Sequence, residues 1–177
     1  MKNLIFFFVT SMVLFCCCKK ADTDISVGLG ESIYQKDGVV LTQVPRANAA
    51  PVGDVFDMNF DHLDENGILT ENLYIFKIPK KKGRYEINVT ESTDNDGLIG
   101  AKYFTISNEG DVLEDVYIVD ETSTGNFIEI TSFDEAKSEI TGRFTVKMKI
   151  DPNKVKQNPS SPDTILITKG EFNVKID

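Results

Sequence analysis

Ile140-Thr141-Gly142-Arg143-Phe144-Thr145-Val146-Lys147-Met148-Lys149-Ile150 is the stretch that decides the fold class. Ile140, Gly142, Phe144, Val146, Met148 and Ile150 take every second place, and mostly polar residues fill the gaps. A period of two belongs to a strand with one face in a core and the other in water. Asp151-Pro152 ends it, since proline has no N–H to give to a ladder. Near the C-terminus the device returns, with Phe172, Val174 and Ile176 behind Gly170. Gly142 and Gly170 both stand where clean alternation begins, which predicts a bulge or a close backbone approach.

The same grammar extends toward the N-terminus. Phe127-Ile128-Glu129-Ile130-Thr131 leads into a turn at Asp134-Glu135-Ala136-Lys137. A strand pair is expected over 102–107 and 112–119. Arg84-Tyr85-Glu86-Ile87-Asn88-Val89 places Tyr85, Ile87 and Val89 on one face, after a Lys80-Lys81-Lys82-Gly83 turn. Leu73-Tyr74-Ile75-Phe76-Lys77-Ile78 stops at Pro79, and Val55-Phe56-Asp57-Met58-Asn59-Phe60 mixes apolar and acidic residues. Residues 32–44 read as a hairpin turning at Lys36-Asp37-Gly38, and 45–53, with Pro45 and Pro51, reads as a linker-like break. No stretch beyond the first residues keeps a helical period. The expectation is an all-β, antiparallel β-sandwich or barrel of about nine or ten strands.

The first residues carry a different message. After Met1-Lys2-Asn3, the segment from Leu4 to Phe15 is apolar except for Thr10 and Ser11. A dozen residues is too short for a bilayer core of ~30 Å, which takes ~20 as a helix, and suits an export signal. Leu14-Phe15-Cys16-Cys17 resembles a bacterial lipobox, with Leu at −3 and a small residue at −1. Residues 1–16 are therefore expected to be a lipoprotein signal peptide and Cys17 the lipid-bearing residue, with Cys16 and Cys18 as alternatives. Residues 17–30 would be the lipid-anchored tether and 31–177 a single β-sandwich domain. The three cysteines all lie at 16–18, so the domain has neither a disulfide nor a Cys nucleophile.

Charge narrows the partners. Nineteen Lys and Arg stand against 28 Asp and Glu, and loss of Lys2 with the signal leaves 18 against 28. Such a surface repels phosphate backbones, so no nucleic acid is expected. The expected partners are the membrane, through the N-terminal lipid anchor, and an envelope protein.

Candidate chemistry is thin. His62 is the only histidine, and no nucleophile elbow accompanies it. Asp54, Asp57, Asp61, Asp64 and Glu65 form an acidic run. Ser92-Thr93-Asp94-Asn95-Asp96-Gly97 resembles the front of a calcium loop, but Tyr103 stands where a bidentate Glu is needed. No catalytic residue, metal site or cofactor is expected. Asp163-Thr164-Ile165 resembles an O-glycosylation acceptor, with Thr164 as the modified residue.

Three C-terminal segments carry a family resemblance: Ile128-Glu129-Ile130-Thr131-Ser132-Phe133-Asp134, Ile140-Thr141-Gly142-Arg143-Phe144 and Ile167-Thr168-Lys169-Gly170-Glu171-Phe172. They resemble the I-x-I-T-x-[YF]-D, I-S-G-x-F and I-T-x-G-x-F pattern of a family of small lipoproteins from Bacteroidetes-type Gram-negative bacteria. The likeness spans roughly 70–177. It implies a β fold and an envelope address, and no activity. The functional expectation is a lipid-anchored, non-enzymatic binding or accessory module of the outer membrane. The alternatives are a small envelope hydrolase using the acidic run near His62, and a structural subunit of an outer-membrane complex. Lys19 and Lys20 directly after the cysteines favour the periplasmic face over the cell surface.

Overall fold

A computed structural model describes residues 30–49, 53–89, 97–107 and 110–176. The expected signal peptide, the three cysteines and nearly all of the expected tether and of the calcium-like loop lie outside these residues.

Alternation of apolar and polar residues builds ten strands: β1 (Gly30–Lys36), β2 (Val39–Ala49), β3 (Val55–Leu63), β4 (Leu69–Pro79), β5 (Gly83–Val89), β6 (Ile99–Ile106), β7 (Leu113–Val119), β8 (Phe127–Asp134), β9 (Glu139–Ile150) and β10 (Thr164–Lys175). The all-β expectation holds, and no helix occurs among the described residues. The strands form one sheet that closes on itself. From β10 it runs through β1, β2, β3 and β4 to β6. Two bridges then join β6 to β9. β7 spans one end, pairing with Tyr103 and Phe104 on one side and Met148 to Ile150 on the other. β5 and β8 span the opposite end, and β9 returns to β10.

Three details differ from the sequence expectation. β2 runs through Pro45 to Ala49 and pairs with β3, so most of the expected break at 45–53 is strand. β1 reaches only Gln43 of β2, which leaves room further along for a residue lacking an N–H. β5 and β6 pair in parallel, Ile87 with Ile99 and Val89 with Gly100, so the sheet is mixed rather than purely antiparallel. β1 begins at Gly30, the residue taken as the end of the tether.

The inward face follows the alternation. Phe60, Phe144 and Phe172 meet around the centre, with Phe60 and Phe144 centroids 4.7 Å apart and Tyr34 edge-on to Phe144 at 5.9 Å. Ile140, Val146 and Met148 are fully buried beside them, as the β9 pattern requires. The two glycines make the expected close approaches. Gly142 pairs with Phe172 and Gly170 with Phe144, and a register shift lies between Ile167 and Gly170.

Candidate functional site

At one end the β1–β2 turn, the start of β4, the end of β6, the start of β7 and the 151–163 loop surround an opening into the barrel. The inward alternation of β1 carries from Tyr34 to Lys36, and that of β4 from Leu73 to Glu71. Both therefore send a charged group toward the interior at this end. Lys36 Nζ forms an ion pair with Glu71 Oε1. It also donates to Tyr103 Oη at 2.9 Å and lies 5.4 Å from that ring's centroid. Tyr103 Oη in turn donates to Glu71 Oε2. One lysine, one carboxylate and one phenol close a triangle of charge-assisted bonds, with the Lys36 and Glu71 side chains only 23 % and 20 % exposed.

Burial, reinforced by the Glu71 charge, pushes the Tyr103 hydroxyl far above its ordinary value of 10. The phenol is thus a fixed donor to Glu71. Tyr34 is raised by the same two causes in the same order. Tyr117, edge-on to Tyr103 at 5.8 Å, is raised mainly by burial.

Lys36, Glu71, Tyr103 and Tyr117 line a cavity of about 570 Å³ together with Leu41, Ile106, Glu114 and Ile165. The 151–163 loop lies over it and is pinned at two points. Tyr117 Oη donates to the Pro162 carbonyl at 2.9 Å. Asp115 Oδ1 accepts from the Gln157 and Asn158 amides at 2.8 and 3.4 Å. A larger depression, about 830 Å³, lies on the outside of β8, β9, β10, β1 and β2. It is a hollow in a sheet surface.

The residues singled out from sequence do not assemble. His62 sits near the end of β3, with Nδ1 3.4 Å from Gln43 Nε2 and from the Thr42 carbonyl. The acidic run disperses along β3. Asp57 accepts from Tyr74 Oη and the Lys77 amide at 2.6 and 2.8 Å, and Asp61 binds Arg46 at 2.5 Å and Asn72 at 2.7 Å. Asp64 caps its own turn through the Ile68 and Asn66 amides, which holds its carboxyl below the usual range. Among the described residues no three His, Cys, Asp or Glu groups converge as a metal ion would need. Thr164 opens β10 opposite Lys149, with its side chain exposed.

The sequence alone does not mark Lys36, Glu71 and Tyr103 as a site. A signal was present, because each is a polar residue in phase with buried neighbours on its own strand.

No family model, curated protein or solved structure matches this chain. The functional reading therefore rests on the residues themselves.

Proposed function

We propose that this chain is a lipid-anchored envelope protein whose barrel is a non-enzymatic binding module for a small ligand. The observation that carries the proposal is the mouth cavity, about 570 Å³ and roofed by a pinned loop. Its volume lies in the range of small-molecule sites, roughly 300 to 1,000 Å³, and it mixes aliphatic walls with a few fixed polar groups. The Lys36–Glu71–Tyr103 triangle suits recognition better than catalysis. Its only base candidate, Glu71, is already engaged by a cation and a phenol.

The anchor is assigned to Cys17 on the lipobox resemblance, with Cys16 and Cys18 as alternatives, and the address to the outer membrane on the resemblance to Bacteroidetes lipoproteins. Lys19 and Lys20 favour the periplasmic leaflet. β1 starts at the end of the barrel opposite the mouth, so a tethered domain can hold the cavity away from the lipid. Thr164, exposed at the start of β10, remains accessible to a glycosyltransferase.

Native mass spectrometry of the full chain, extracted from its own membranes in mild detergent, tests the reading. The expected spectrum shows an acylated protein with a small-molecule adduct. Ile106→Trp, which fills the mouth, removes the adduct. An acylated protein with no adduct in any preparation would overturn the binding role. An absence of acyl mass would overturn the anchor. Protease added to intact cells tests the leaflet: the domain is expected to survive until the outer membrane is opened.

A further inference from the structure

The mouth cavity holds more negative charge than its lysine offsets. Among the described residues Lys36 is the one basic residue lining it, against Asp37, Glu71 and Glu114. Asp115 is a fourth acid just behind the wall. Its amide donates to Thr105 Oγ1 at 3.0 Å, and Thr105 and Asn158, both bonded to it, line the cavity.

Two polar atoms at this end are buried with no partner, Asp115 Oδ2 and Tyr34 Oη. Each belongs to a residue only 1 % exposed. A carboxylate oxygen shut away from water with nothing to accept is costly to keep, and it calls for a donor. Asp115 Oδ1 is spent on the loop, and Oδ2 accepts nothing, so its charge acts on the cavity from behind Thr105 and Asn158. Lys36 shows how this cavity treats an ammonium group: a carboxylate, a phenol oxygen and an aromatic face surround Nζ.

From this imbalance we infer that the cavity takes a small organic cation, a primary or secondary ammonium on an aliphatic chain. Glu114 at the rim and Asp115 behind it supply the surplus negative charge, while Leu41 and Ile165 receive the hydrocarbon. This names the ligand class of the proposed binding site and rests on that reading. A bare divalent ion fits less well, since it needs several oxygens converging on one point. No such convergence occurs among the described residues. An ammonium spreads its hydrogen bonds over separate acceptors.

The test is calorimetric titration of the full chain, in detergent, with spermidine as the cationic probe and with succinate and calcium chloride as controls. Spermidine is expected to bind saturably at one site. Glu114→Gln weakens that binding tenfold or more, and Ile106→Trp abolishes it. Glu129→Gln, on the outer face of β8, leaves it unchanged, which separates the cavity from general attraction to an acidic surface. Far-UV circular dichroism checks each variant, and the two cavity variants act independently should one fail to fold. Spermidine binding that survives both cavity variants would overturn the inference, as would its failure to bind. Succinate binding that Ile106→Trp abolishes would also overturn the cationic class, yet would leave the binding module standing.

Discussion

Phe144 and Gly170 face each other across β9 and β10, and the Phe144 ring fills the space that a side chain at 170 would need. A Cβ on Gly170 would stand 2.6 Å from ring carbons Cε1 and Cζ. The reverse pair lies one step along the same strands, where Phe172 covers Gly142. There a Cβ would be 2.4 Å from Phe172 Cζ and 2.5 Å from the Glu129 carbonyl oxygen. Each strand lends the other a ring over its glycine, an arrangement known to pin register.

Alanine at these glycines should not be equivalent. Overpacking a close-packed core costs ~1 to 3 kcal/mol. Gly142→Ala belongs at the upper end because one of its clashes is with backbone, which cannot rotate away. At Gly170 the three nearest atoms all belong to the Phe144 ring, so Gly170→Ala belongs lower. Urea unfolding of both variants checks the order, and a lower midpoint for Gly170→Ala than for Gly142→Ala would contradict it.

Removing the ring itself is the harsher change. Phe144 is 1 % exposed and touches Tyr34, Phe60 and Phe172. Phe144→Ala is expected to cost ~3 to 5 kcal/mol, a large share of a total stability of ~5 to 15 kcal/mol. An unchanged urea midpoint would mean that the cavity collapses without cost.

Alkaline pH should loosen the barrel. Tyr34, Tyr74, Tyr103 and Tyr117 are all raised above their ordinary value of 10, each chiefly by burial. Folding therefore favours the protonated phenols. That contribution is complete below pH 10 and is lost as pH climbs from there toward the folded values, because only the unfolded chain ionises first. The urea midpoint is expected to fall above about pH 10, and Tyr103→Phe to make the fall shallower. Absorbance at 295 nm would follow the phenolates, and full titration of these tyrosines without unfolding would refute the burial account.

The anchor can be tested by one substitution. Cys17→Ser is expected to abolish palmitate incorporation and to release a soluble or unprocessed chain. Label persisting in that variant would move the modified residue to Cys16 or Cys18.

Local chemistry made much of the fold legible. The Lys36-Asp37-Gly38 turn and the period of β9 each lie within a dozen residues, and both hold. Pro45 misled because a proline usually marks a break, whereas here β1 has already ended its pairing with β2 at Gln43. Ring closure was not legible. It depends on partners such as Ser32 Oγ and the Glu171 carbonyl, 139 positions apart, and no local pattern encodes that meeting. The mouth was hidden for the same reason, since Lys36, Glu71 and Tyr103 come from three separate strands. Lys36 read as part of a turn and Tyr103 as a failed calcium ligand.

The pairing of β1 with both β2 and β10 sets an order of events during synthesis. β1 can satisfy only one of its sides until β10 has been made. Until Thr164 to Lys175 are in place, β1 and β9 each keep an unpaired border, the kind of border that recruits foreign strands. Closure over so long a separation is also slow. A cell that makes this chain must therefore shelter it through an unfinished stage, and a stop codon shortly before Thr164 would leave that stage permanent.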